Sequence, residues 1–76
     1  MAFQAEEIPR LQNYLEQKFG TKGFALKMRE KANDSVEVLL NGEFIAVIYK
    51  DEEEGDVSYD FNMAILSVDL KDVANA

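Results

Sequence analysis

The dipeptide Asn41-Gly42 constrains the fold more than any other feature of this chain, because two runs of β-branched and apolar residues flank it. The runs are S-V-E-V-L-L before it and E-F-I-A-V-I-Y-K after it. A type I′ turn needs positive φ at both central residues, which Asn and Gly adopt most readily. The sequence therefore predicts a β-hairpin with strands at about 35–40 and 43–50.

A two-residue turn also sets the register of the hairpin. Leu39 then lies opposite Phe44, and Val38 lies opposite Ile45. Directly opposed residues share a face of the sheet, so the register sorts the side chains into two sets. One face is predicted to carry Val36, Val38, Leu40, Ile45, Val47 and Tyr49. The other is predicted to carry Glu37, Leu39, Phe44, Ala46 and Ile48.

Hydrophobic periodicity predicts the remaining elements. Helical spacing of Ile8, Leu11, Leu15 and Phe19, followed by Gly20, indicates a helix at about 7–19. The alternating run F-A-L-K-M-R-E-K indicates a first strand. After a polar loop, K-D-E-E-E-G-D, a fourth strand runs from Val57 with a bulge expected near Ala64, and Ser67 is expected to cap a helical turn over 67–73.

These elements predict a single α+β domain spanning residues 1–76. An N-terminal helix packs on a four-stranded antiparallel meander in the order 1-2-3-4, and a short C-terminal helix is optional, giving α-β-β-β-β-α. The helix is expected to cover the face that carries Phe24, Val38, Val47 and Phe61. Both faces of the hairpin are partly apolar, which is typical of a central position in a sheet.

Composition excludes several classes of chemistry. The chain has no histidine, which is the commonest general base and metal ligand, and no cysteine, which is the most reactive nucleophile. Its four glycines are isolated, so no phosphate-binding or dinucleotide-binding pattern occurs. We therefore predict no enzymatic activity, no catalytic residue, no cofactor and no metal site. The acidic start and the lack of a long apolar run predict a cytosolic protein.

Charge is unevenly distributed along the chain. The net charge is −7, yet residues 1–31 carry six basic and four acidic residues, whereas residues 32–76 carry two lysines and eleven acids.

The run from Asp51 to Asp56 could bind a divalent cation through oxygen ligands, although a solvated hairpin loop is the simpler interpretation. Lys27, Arg29 and Lys31 could contact a nucleic-acid backbone, or could protect an edge strand.

The predicted outer face suggests a partner. An apolar strip of Leu39, Phe44, Ala46 and Ile48 is flanked by Lys27 and Arg29 on one side and by Asp60 on the other. Under two-fold symmetry such a patch is self-complementary. The rival expectation is that Leu66, Val68, Leu70 and Val73 fold back and cover the strip in a monomer. The predicted function is a non-enzymatic cytosolic protein–protein interaction or self-associating module, and the alternative is a nucleic-acid accessory protein.

One stretch of the sequence also resembles a known family. The G-E-F-I-x-V hairpin, the acidic E-G-D loop and the following S-Y-x-F-x-M-A-I-L-x-x-D-L are similar to a family of small bacterial proteins, a domain of unknown function. The resemblance covers about residues 10–72. It implies a bacterial origin and a small α+β fold, and it implies no functional residue.

Overall fold

A computed structural model describes residues 2–29 and 31–71 of the chain. It contains α1 (Glu7–Phe19), β1 (Phe24–Met28), β2 (Ser35–Leu40), β3 (Glu43–Glu53), β4 (Asp56–Asn62) and α2 (Ser67–Lys71). The strands form one antiparallel sheet in the order β1-β2-β3-β4. The predicted α-β-β-β-β-α meander is confirmed.

Helix α1 begins and ends where its sequence pattern predicts. Gly20 adopts φ 67° and ends the helix in the left-handed conformation, while the Thr21 N–H donates to the Glu16 carbonyl at 3.2 Å. Leu15 is buried, and Ile8 and Leu11 pack beside it. The helix packs mainly against β1, at one side of the sheet. This off-centre position leaves part of the sheet near β4 without a helix above it.

Two tight turns connect the central strands. Asn41 and Gly42 have φ values of 53° and 85°, as the predicted type I′ turn requires. Glu54 and Gly55 have nearly the same values, 53° and 86°. The predicted polar loop over 50–56 is therefore wrong, because β3 continues to Glu53 and β4 begins at Asp56.

A β-bulge at Ile45 changes the register of the β2–β3 hairpin. Leu39 lies opposite Phe44 as predicted, but Val38 lies opposite Ala46. The extra residue shifts all later pairs by one position, and a shift of one residue moves each side chain to the other face. The predicted faces are consequently wrong from Ile45 onward: Ala46 and Ile48 join the core, and Val47 lies on the outer face.

Two predicted strand ends and one predicted helix cap also differ from the structure. Strand β1 ends at Met28 and does not include Arg29. Strand β4 ends at Asn62, so the bulge expected near Ala64 does not form. At the start of α2 the capping side chain is Asp69 and not Ser67. The Asp69 carboxylate accepts a hydrogen bond from the Leu66 N–H at 3.1 Å. The predicted end of this helix at Val73 lies outside the described residues.

The hydrophobic core lies between α1 and the inner face of the sheet. It consists of Phe3, Leu15, Phe24, Val36, Val38, Ala46 and Ile48. Phe3 belongs to it because the N-terminal arm lies along the domain, where the Phe3 N–H donates to the Asn33 carbonyl at 2.8 Å. Of the four residues predicted under the helix, Phe24, Val38 and Phe61 face it and Val47 does not. Within the described residues, no helix has the length and apolar character needed to cross a membrane.

Candidate functional site

The predicted partner strip is divided between the two faces of the sheet. Ala46 and Ile48 are buried in the core, so they cannot form part of an outer surface. Their places on the outer face are taken by Val47 and Tyr49. The resulting outer strip consists of Leu39, Phe44, Val47 and Tyr49, of which Phe44 is 57% exposed and Tyr49 is 43% exposed.

The charges beside this outer strip are more mixed than the sequence predicted. Lys27 lies opposite Glu37, and Asp60 lies opposite Tyr49. Arg29 lies beyond the end of β1, where its guanidinium donates to the Ser35 hydroxyl at 3.3 Å. The predicted basic column is therefore reduced to Lys27, with an acidic residue beside it. This arrangement fits a protected edge strand better than a phosphate-binding surface.

The acidic run forms the exposed tip of the β3–β4 hairpin. Asp51, Glu52 and Glu53 lie in β3, and Asp56 begins β4. Carboxylates that alternate along strands point to opposite faces, which separates potential ligands. Among residues 2–29 and 31–71, no group of three acidic side chains is placed to hold a metal ion.

An ion pair that the sequence did not predict joins α1 to the β3–β4 hairpin. The Lys50 ammonium donates to the Glu7 carboxylate at 2.7 Å and to the Ala2 carbonyl at 3.1 Å. The Tyr59 hydroxyl donates to the second oxygen of Glu7, and the Gln4 N–H donates to the first at 2.7 Å. The Lys50 and Glu7 side chains are only 6% and 12% exposed, so the pair lies largely out of water.

The surroundings of Glu7 strongly stabilise its charged form. Burial alone raises its pKa, but the hydrogen bonds from Lys50, Tyr59 and Gln4, together with the charge of Lys50, lower the pKa from 4.5 to about 2. The hydrogen bond to Glu7 and burial raise the pKa of Tyr59. A carboxylate with so low a pKa is a poor proton acceptor near neutral pH. The cluster is suited to holding α1 on the sheet and not to acid–base chemistry.

A groove opens beside this cluster, between α1 and the β3–β4 side of the sheet. Its volume is about 530 Å³. The helix contributes Leu11, Tyr14 and Leu15 to its walls, and the sheet contributes Ile48, Tyr59 and Phe61, with Glu7 and Arg10 at its polar end. The groove exists because the α1 backbone lies nearest β1, so that α1 reaches β4 through long side chains, in the Glu7–Tyr59 hydrogen bond and the Phe19–Phe61 ring contact.

The segment that follows β4 exposes a run of large apolar side chains. We call residues 63–70 the C-terminal segment. Its five large apolar residues are each more than half exposed: Met63, Ile65, Leu66, Val68 and Leu70. Within the described part of the chain, α2 packs against no other helix or strand. The predicted fold-back of Leu66, Val68 and Leu70 over the sheet is therefore wrong for these residues, and Val73 lies outside the described residues.

Sequence reasoning missed the Glu7–Lys50–Tyr59 cluster, although one signal pointed to it. Lys50 is the one basic residue between positions 32 and 70, within a stretch that is otherwise strongly acidic. It also sits on the inner face of β3, opposite Tyr59. The signal does not identify Glu7 as the partner, because Glu7 is 43 residues away in sequence.

Comparison with known proteins places the chain in a family. The profile of a family described as protein of unknown function (DUF3126) matches residues 7–69. The match begins with α1 and ends within α2, so it includes the ion pair, the groove and nearly all of the C-terminal segment. No curated protein and no solved structure is significantly similar to the chain.

Proposed function

Since this chain belongs to DUF3126, a family of proteins of unknown function, we propose its role from its surface: a non-enzymatic, self-associating protein–protein interaction module. The observation that carries the proposal is the exposure of the C-terminal segment. Five large apolar residues within eight positions each remain more than half exposed. Exposed large apolar side chains concentrated in one short segment of a small domain favour an interaction site.

The chemistry of the described side chains supports a binding role over a catalytic one. The carboxylate with the most perturbed pKa, Glu7, is held in its charged form by three hydrogen-bond donors. Catalytic acids and bases generally need a pKa near the working pH, and this one is shifted away from it. The absence of cysteine and the net charge of −7 suit a cytosolic protein. A bacterial origin remains part of this proposal, as the family resemblance implies.

Light scattering at high micromolar concentration tests the proposal. Wild type is expected to be a dimer, with a Kd of roughly 1–100 μM because the segment is short. Leu66→Glu/Leu70→Glu should give a folded monomer, since both residues are exposed and removing them leaves the core intact. Circular dichroism checks that the variant keeps its fold.

Phe44→Glu is the matched control on the other exposed apolar surface. Phe44 is 57% exposed on the outer face of the sheet, comparable to Leu66 at 58%. If the C-terminal segment mediates association, Phe44→Glu remains a dimer. If Phe44→Glu is the monomer and the segment variant stays dimeric, association uses the outer strip. A wild-type monomer throughout this concentration range overturns the proposal.

A further inference from the structure

We propose that the C-terminal segment of one copy occupies the groove between α1 and β4 of a second copy, and that the exchange is reciprocal. This inference rests on the proposed self-association and specifies its geometry. Both surfaces are apolar, and both are open in the isolated chain. In a closed two-fold dimer, reciprocal docking buries the grooves and the segments of both copies.

The path of the chain after β4 favours a second copy over the same chain. To reach its own groove, the segment would have to reverse direction immediately after Asn62. The residues available for that reversal are M-A-I-L, positions 63–66, which include no glycine, proline, asparagine, aspartate or serine. These residue types dominate tight turns, and here they occur only at the two ends of the stretch, as Asn62 and Ser67. The described structure shows no turn over 63–66, and among the described residues α2 packs against no helix or strand of its own chain.

The groove and the segment match in chemistry as well as in openness. The floor and walls of the groove offer aromatic and aliphatic carbon from Leu11, Tyr14 and Phe61. The segment presents Leu70 within α2 and Leu66 immediately before it, four positions apart and both exposed. Apolar anchors at this spacing that enter an apolar groove are a recurrent mode of recognition. The groove volume of about 530 Å³ suits a few aliphatic side chains.

A charge pair fixes the orientation of the docked segment. Arg10 lies at the polar end of the groove, and within the described residues it forms no salt bridge. The segment carries one acidic residue, Asp69, between its apolar positions Val68 and Leu70. A pairing of Arg10 with Asp69 of a second copy is complementary in sign. Such rim charges mainly set orientation, while the apolar contact supplies the affinity.

Disulfide trapping tests this arrangement, because the native chain has no cysteine. Tyr14→Cys places a thiol on the groove wall, and Val68→Cys places one on the segment. Mixing the two single variants under mild oxidation should yield a covalent heterodimer. As the matched control, Phe44→Cys on the outer face replaces Tyr14→Cys in the mixture with Val68→Cys. Phe44 and Tyr14 are similarly exposed, at 57% and 59%. That mixture should yield several-fold less, because a disulfide forms only where Cα atoms approach within about 7 Å.

The outcomes separate this inference from the proposal on which it rests. A wild-type dimer with Tyr14–Val68 trapping between copies supports both. A wild-type dimer with any other trapping pattern overturns the groove and leaves self-association standing. A wild-type monomer overturns both. In that case, the double variant Tyr14→Cys/Val68→Cys shows by an internal disulfide whether the segment has closed over its own groove.

A double-mutant cycle gives a second readout that does not depend on trapping. Asp69 is replaced by Asn, whose side-chain oxygen can still accept the hydrogen bond from the Leu66 N–H at the start of α2. Arg10→Gln and Asp69→Asn should each weaken dimerisation by roughly two- to fivefold, as expected for an exposed ion pair. Combining both changes in one chain should weaken it no further, because either change alone already breaks the pair. Losses that add in the double variant overturn the assigned orientation.

Discussion

Replacing Glu7 by Gln is expected to destabilise the domain in a manner that depends on pH. Gln keeps the size of the side chain but has a single acceptor oxygen. It can still accept a hydrogen bond from Lys50 or from Tyr59 but not from both, because they donate to different oxygens of Glu7. It removes the negative charge beside an ammonium group that is only 6% exposed. A largely buried charge that loses its counter-charge destabilises the folded state.

The magnitude follows from the pKa of Glu7. A decrease from 4.5 to about 2 corresponds to roughly 3 kcal/mol of stabilisation in the fully charged state. Solvent at the open groove screens part of this interaction, and the Gln side chain retains part of the hydrogen bonding. We therefore expect Glu7→Gln to lower the free energy of unfolding by about 1–2 kcal/mol at pH 7.

The direction of the pH dependence follows from the lowered pKa. A carboxyl group whose pKa is lowered by folding contributes fully above its unfolded-state pKa and loses that contribution as the pH falls through the folded-state value. The gap in stability between wild type and Glu7→Gln should therefore be constant near neutral pH. It should shrink between pH 4.5 and about 2, as Glu7 becomes protonated.

Urea unfolding at several pH values, at one fixed protein concentration, measures this gap. A fixed concentration is necessary because self-association contributes to apparent stability. Glu6→Gln is the matched control, since Glu6 is an exposed neighbouring carboxylate that forms no side-chain capping bond. Its gap from wild type should stay within about 0.5 kcal/mol. If Glu7→Gln and Glu6→Gln behave alike, or if the Glu7→Gln gap is independent of pH, the assigned role of the ion pair is refuted.

Four further predictions concern the turns and the charge of the protein. Gly42→Val should lower the unfolding free energy by well over 1 kcal/mol, because a β-branched residue is strained at φ 85°; a wild-type melting temperature would contradict the type I′ turn. Glu54→Asn should raise stability by about 0.5–1 kcal/mol in urea unfolding, since Asn tolerates φ 53° better than Glu, and a loss would refute strain at this turn. Replacing Glu52, Glu53 and Glu54 together by Gln should change stability by under about 0.5 kcal/mol or raise it, whereas a large loss accompanied by loss of a Ca²⁺-induced melting shift would reveal a metal site. Rising salt should strengthen self-association, because each copy carries a charge of −7, whereas oligonucleotide binding measured by fluorescence anisotropy would weaken.

The sequence predicted the candidate site less well than it predicted the fold. The C-terminal segment was recognisable as apolar, but its exposure depends on what the rest of the chain leaves uncovered. The groove depends on the lateral position of α1 over β1, and a hydrophobic stripe at helical spacing does not encode that position. The Glu7–Lys50 pair joins residues 43 positions apart, and one sequence has no pattern that links them.

Local patterns in the sequence were sufficient for the elements and their order. The apolar spacing and Gly20 determine the helix over Glu7–Phe19, and Asn41-Gly42 determines the first hairpin, because both depend on backbone preferences of neighbouring residues. The bulge at Ile45 is different. Its neighbours Phe44, Ala46 and Val47 are apolar on both sides, so alternation alone does not distinguish one register from the next. The core makes the choice: it accommodates Ala46 and Ile48 beneath α1, and the extra residue turns Val47 outward.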